Sequence, residues 1–214
     1  MKALLLCGGD GTRLRPFTYS KPKVLLPLVN MPILFHILDS LAKASIKEIV
    51  LIVGKNGSLI RDLLQNDNPW GLKFIFVDQP EPLGLAHAVL VASEALEYSP
   101  FLMYLGDNIL DEPLLPMVET FHREKPDSLV LVRKVNNPKD FGVAVIEGDQ
   151  VIKVEEKPKI PLSNLALIGI YFFSEEIHQS VRRIKPSWRG ELEITDAIQD
   201  LIERGKTVHY KKLS

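Results

Sequence analysis

The sequence predicts an α/β protein of three layers, with helices on both faces of a mostly parallel central sheet to which an antiparallel hairpin is added. Two observations predict the parallel part. Continuous apolar runs of about five residues recur along the chain, as strands covered on both faces require, and segments of helical period separate them. A third predicts the addition: beyond Lys134 the pattern changes to short strands around a Gly-Asp turn.

Taken in order, Ala3–Cys7 is the first strand. Ile33, Leu34, Ile37, Leu38, Leu41 and Ala44 then follow a 3.6-residue period and make an amphipathic helix. Ile49–Val53 is a strand, and Ser58 is placed to cap a short helix through Leu64. Phe74–Val77, Phe101–Leu105 and Leu129–Val132 are further strands, separated by helical stretches at Leu85–Ala95 and Leu114–Arg123. Strand and helix alternating in this rhythm place strands side by side in parallel. After Lys134, Val143–Ile146 and Val151–Val154 flank Gly148-Asp149 as a hairpin. Leu167–Phe173 is a strand, Ser174 opens a helix through Arg183, and Glu193–Arg204 is a helix stopped by Gly205. Val208–Lys211 begins a last strand. No linker or repeat interrupts residues 1–214, which are read as one domain.

Composition narrows the class of function. The 214 residues are 46% hydrophobic and 25% charged with a net charge of -1, so the basic surplus of a general nucleic-acid binder is missing. Cys7 alone excludes an internal disulfide and a cysteine zinc site. No apolar run reaches the roughly 18 residues of a membrane span, and the apolar stretch after Met1 is too short for a secretion signal. The expectation is a cytoplasmic protein with neither nucleic acid nor membrane as partner.

Chemistry begins where the first strand ends, at Gly8-Gly9-Asp10-Gly11-Thr12-Arg13-Leu14-Arg15-Pro16. Ligands of open α/β sheets lie at the carboxyl ends of strands. Glycines there turn backbone N–H groups toward one point and admit a ligand without Cβ clashes. Between residues 8 and 23, Arg13, Arg15, Lys21 and Lys23 stand against Asp10 alone, in a chain otherwise balanced. A glycine nest with that many cations suits a polyphosphate. It is not a P-loop, which needs Gly-Lys-Ser/Thr, nor a dinucleotide fingerprint, since Leu14 occupies the third glycine position.

With Lys23-x-Leu25-Leu26-Pro27 following it, this loop resembles the signature of the sugar-1-phosphate nucleotidyltransferases. Gln79-Pro80-x-Pro82-x-Gly84-Leu85-Ala86, Leu105-Gly106-Asp107-Asn108, Glu155-Glu156-Lys157-Pro158 and Arg189-Gly190-Glu191-Leu192-Glu193-Ile194-Thr195-Asp196 extend the resemblance in order over nearly the whole chain. The resemblance implies a Rossmann-like fold of the nucleotide-diphospho-sugar transferase type. It also implies a reaction in which a sugar 1-phosphate attacks the α-phosphorus of a nucleoside triphosphate, giving an NDP-sugar and pyrophosphate. Within the family the likeness is greatest to members using thymidine nucleotides and glucose 1-phosphate, so dTTP is expected, with UTP next. The alternatives are the same reaction on another sugar phosphate or triphosphate, or a non-catalytic subunit that binds nucleotide or NDP-sugar.

The resemblance assigns Arg13 and Lys23 to the triphosphate, and Gly8, Gly9, Gly11 and Thr12 to its cradle. Asp107 is expected to hold Mg²⁺ with the help of phosphates and water. Gln79 can present a donor and an acceptor to a pyrimidine edge, beside a Gly84 whose missing side chain leaves room for the base. Asn108, Gly142, Glu156, Lys157 and Leu167 are expected at the sugar phosphate. Arg15 and Lys21 are not assigned, and the histidines show no metal-ligand spacing. Trp70 and Trp188 are read as packing residues. The family usually adds a second metal carboxylate and a C-terminal helical region beyond the strand at Val208–Lys211, and these are expected to be lacking here. Self-association is expected by family analogy only.

Overall fold

A computed structural model describes residues 1–9 and 11–213, with Arg13 described through its backbone alone. The elements in order are β1 (Lys2–Leu6), β2 (Pro27–Leu28), β3 (Met31–Pro32), α1 (Ile33–Lys43), β4 (Glu48–Val53), α2 (Gly57–Asn66), β5 (Lys73–Asp78) and α3 (Leu85–Ala92). They continue as β6 (Phe101–Leu105), α4 (Leu115–Glu124), β7 (Ser128–Lys134), β8 (Gly142–Glu147), β9 (Gln150–Glu156), β10 (Leu165–Phe173), α5 (Ile177–Arg183), α6 (Ile194–Glu203) and β11 (Val208–Lys212). Single 3-10 turns at Thr12–Leu14, Phe17–Tyr19 and Lys23–Leu25 carry the chain from β1 to the small β2–β3 hairpin, which the sequence reading missed.

One sheet runs in the order β5-β4-β1-β6-β10-β7-β11-β9-β8. Alternation along its strands divides the apolar side chains between two cores. Ala3 and Leu5 of β1, Ile49, Leu51 and Val53 of β4, and Leu102 and Tyr104 of β6 face α1, α2 and α4. Leu4, Val50, Ile52, Phe101 and Met103 face the other way, against α3, α5 and α6. The three expected layers are therefore present, and the apolar runs are continuous because both faces of each strand are covered.

The expected mostly parallel sheet is corrected. The half made of β5, β4, β1 and β6 is parallel, but the other half is mixed. β10 inserts between β6 and β7 antiparallel to both, pairing Ile170 with Tyr104 and Leu167 with Val132. β8 and β9 form the expected hairpin and pair antiparallel to β10 and β11, while β11 returns to run parallel to β7. The physical reason is that an unbroken apolar run says a strand is covered on both faces and nothing about its direction. Two smaller expectations also shift. Asn56, not Ser58, precedes α2, and no side chain caps it. The helix after Ser174 starts at Ile177, with the Ser174 hydroxyl accepting the Glu176 N–H at 3.3 Å.

Chain order puts β4 and β5 on one side of β1, then crosses to place β6 on the other. The reversal opens a crevice at the carboxyl ends of β1 and β6. Gly106 keeps it narrow: its N–H donates to the Leu6 carbonyl at 2.9 Å, and a Cβ there would lie 2.5 Å from that oxygen.

Candidate active site

Two cavities meet in this crevice. The smaller, about 280 Å³, is lined by Gly8, Gly9, Gln79, Pro82 and Gly84 among others; the larger, about 720 Å³, extends over Asn108, Gly142, Glu156, Lys157 and Leu167. Both are lined by Lys23 and Asp107. At their junction the Lys23 ammonium lies 2.5 Å from Asp107 Oδ2, although 84 positions separate the two residues. The 3-10 turn at Lys23–Leu25 supplies the cation, and the residue after Gly106 supplies the carboxylate.

The glycine loop is shaped as its composition requires. Gly11 has φ 58°, and its carbonyl accepts the Thr18 hydroxyl at 2.8 Å. A Cβ there would meet Thr18 Cγ2 at 2.8 Å, so glycine is demanded by both conformation and space. Gly11 and Thr12 line neither cavity; they form the turn. The Arg13 side chain and Asp10 lie outside the described residues. Arg15 and Lys21 line a separate recess of about 220 Å³ with Lys55, behind Gly8 and Gly9. At the base of the loop the Cys7 thiol is buried, and burial followed by the Asp107 charge pushes its pKa up to about 12, so it remains a neutral thiol.

In the larger cavity the Asn108 amide donates to the Ile168 carbonyl and is thereby committed to the wall. Gly142 admits Thr195, whose methyl would be 2.6 Å from a Cβ on that glycine. Thr195 donates its hydroxyl to Glu156 at 3.3 Å. Burial, and then the charge of Glu193, hold the Glu156 carboxyl above the usual carboxylate range, against the opposite pull of Lys157, Arg189 and Thr195.

Arg189 was missed as a site residue. Its guanidinium reaches Glu191 at 2.9 Å, Glu193 at 3.2 Å and Glu156 at 3.6 Å, all around the larger cavity. The charged run at Arg189–Glu193 was visible, but only the fold brings it against Glu156. Leu192 gives Gly84 a structural reason that the sequence did not show. The Leu192 N–H donates to the Leu83 carbonyl at 2.8 Å and its carbonyl accepts the Ala86 N–H at 3.0 Å. A Cβ on Gly84 would lie 2.3 Å from the Leu192 oxygen. Its missing side chain makes room for this backbone clasp, and Gly84 also lines the smaller cavity.

Among the described residues no group of three or more His, Cys, Asp and Glu side chains is arranged to hold a metal ion, and no helix is long and apolar enough to cross a membrane. Trp70 packs edge-on against Phe35 with centroids 5.0 Å apart. Trp188 is 82% exposed, which corrects the packing role expected for it. His178 is buried between Tyr98 and Phe101, and His36 bonds the Leu28 carbonyl at 3.1 Å, both structural as expected.

The family model described as Nucleotidyl transferase matches residues 2–213. A glucose-1-phosphate thymidylyltransferase of Streptomyces antibioticus is 46% identical over 210 residues, covering 97% of this chain and 59% of its own length. The UTP–glucose-1-phosphate uridylyltransferase AglF of Haloferax volcanii is 35% identical over 211 residues, covering 97% and 86%. A crystal structure from Bacillus anthracis, described as a glucose-1-phosphate thymidylyltransferase in complex with a sucrose, superimposes with a TM-score of 0.90 at 35% identity, covering all of this chain and 87% of that one. The chain thus spans about three fifths of the length of the Streptomyces relative.

Two outcomes follow from this geometry. Gly84→Ala is expected to destabilise the fold by about 1–3 kcal/mol or more, through positive-φ strain and the clash with Leu192, read by denaturant unfolding. Because the Glu156 pKa is raised on folding, its contribution to stability is full below the unfolded carboxylate pKa and is lost as pH rises through the folded one. Glu156→Gln is therefore expected to melt above the wild type near neutral pH, with the gain vanishing as the pH falls below the ordinary carboxylate range.

Proposed function

The chain belongs to the nucleotidyl transferase family, and we propose that it transfers a nucleoside monophosphate from dTTP, or next from UTP, to a sugar 1-phosphate, with glucose 1-phosphate as the first candidate. The observation that carries this reading is the Lys23–Asp107 pair at the junction of two cavities above a glycine loop. One cavity is sized and lined for a base and ribose, the other for a hydroxylated ligand. A phosphate bridge between them passes over opposite charges. The names of the relatives support the same pair of substrates.

In the proposed reaction a phosphate oxygen of the sugar ester attacks the α-phosphorus. The bond from that phosphorus to the β-bridging oxygen breaks, and pyrophosphate leaves with the electron pair. No covalent enzyme intermediate is needed, so the protein's work is positioning and charge stabilisation. Arg13 bridges phosphate oxygens with its planar guanidinium, and Lys23 turns from Asp107 to the triphosphate. Glu156 accepts from sugar hydroxyls, while Lys157 and Arg189 neutralise the sugar phosphate. Asn108, fixed by Ile168, shapes the wall beside them.

Asp107 is the residue that would hold Mg²⁺. Its donor set fits: about one or two carboxylates with phosphate oxygens and water satisfy this hard cation, and no third protein ligand is required. When bound, the ion supplies charge neutralisation at the phosphates. Action in the cytoplasm, and copies of this chain as partners, belong to the same proposal.

The test combines the protein with Mg²⁺, glucose 1-phosphate and each nucleoside triphosphate separately, following pyrophosphate release. Release is expected to be fastest with dTTP; none with any pair overturns the reading. Arg13→Ala is expected to lower turnover about 10²–10³-fold, as loss of one preorganised donor does.

A further inference from the structure

We infer that His87 is a positioning residue that fixes which face of the Gln79 amide meets the nucleotide base, and so makes the site reject cytosine. The inference deepens the proposed nucleotide reading and rests on it.

Gln79 follows β5 and lines the smaller cavity; His87 lies in the first turn of α3, eight positions on, and both are half-buried. The Gln79 amide nitrogen is 2.9 Å from His87 Nδ1 and 3.4 Å from the Gly84 carbonyl. A carbonyl only accepts, so the group facing Gly84 must be the amide NH₂. The same nitrogen then donates its other hydrogen to His87 Nδ1, which places the imidazole proton on Nε2. With both N–H bonds turned inward, Oε1 is the atom left for a ligand. Gln79 then acts as an acceptor alone.

An acceptor asks the base for an N–H. The imide of thymine or uracil offers one at N3; cytosine has a lone pair at N3 and carries its N–H on the 4-amino group at the edge of the ring. An oxygen set opposite N3 therefore meets a donor in the imide and a lone pair in cytosine. Flipping the amide to suit cytosine would set its oxygen against the Gly84 carbonyl and the lone pair of Nδ1. With Oε1 opposite N3, the device separates imides from cytosine, and it does not separate thymine from uracil. Its frame is fixed, because Leu83 and Ala86, on either side of Gly84, are both hydrogen-bonded to the Leu192 backbone. The sequence showed Gln79 as both donor and acceptor; the fold removes the donor.

The experiment compares dTTP with dCTP on the full chain, by calorimetric binding and by pyrophosphate release with glucose 1-phosphate. His87→Leu removes the acceptor and is expected to lower the dTTP-over-dCTP preference by about tenfold, the equivalent of about 1.4 kcal/mol. His87→Asp supplies a group that only accepts, so the preference is expected to persist while both nucleotides bind more weakly beside the added negative charge. In a double-mutant cycle, His87→Leu is expected to change the preference little once Gln79→Ala is present. An unchanged preference in His87→Leu overturns the inference, as does an equal loss for both nucleotides or an additive cycle. A wild type that binds dTTP over dCTP yet releases no pyrophosphate defeats the proposed transfer while leaving this inference testable by binding.

Discussion

The site depends on one constraint, the crossing of the chain from the β4 side of β1 to the β6 side. Parallel pairing of β1 with both neighbours aligns their carboxyl ends, so the glycine loop after Leu6 and the Gly106-Asp107 step after Leu105 open onto one crevice. The Gly106 N–H to Leu6 carbonyl bond fixes their separation. Lys23 can then reach Asp107 because the short turns after the loop bring the chain back over the gap. Move either strand by one position and side chains that now face a core would face the other layer.

Much of this was legible beforehand, and the legible parts share a cause. Strands buried on both faces write themselves as apolar runs, so β1, β4, β6 and β7 were located within one or two residues. The glycine loop was legible because positive φ and close approach exclude side chains locally. What could not be read depends on distant partners. The direction of β10 follows from where the hairpin of β8 and β9 returns it. The reason for Gly84 is the Leu192 backbone, more than a hundred positions away. Arg189 stood in a charged run whose neighbours in sequence gave no hint of Glu156 across the cavity. His87 stood near the Gly84 turn in the sequence, and only the fold shows α3 carrying it against Gln79.

The electrostatics of the two cavities differ in kind. The junction holds a compact cation and carboxylate facing one another at 2.5 Å, partly in solvent, where exchange of partners is cheap. The larger cavity holds carboxylates gathered around Arg189, several of them withdrawn from water, and Glu156 resists ionisation there. An arrangement of that kind presents many hydrogen-bond acceptors to whatever enters the cavity. The neutral Cys7 thiol under the loop contributes packing without competing for metal or phosphate.

The exposed indole of Trp188 has an optical consequence. It projects from a tight turn in which the Ser187 N–H donates to the Glu191 carbonyl and the Gly190 N–H to the Ser187 carbonyl, one residue before Arg189. The chain's other tryptophan, Trp70, is held against Phe35 on the far core. Emission from the two is thus spectrally separable, one solvent-relaxed and one shielded. The red component is a built-in fluorescent reporter of whatever settles beside the arginine on the same turn.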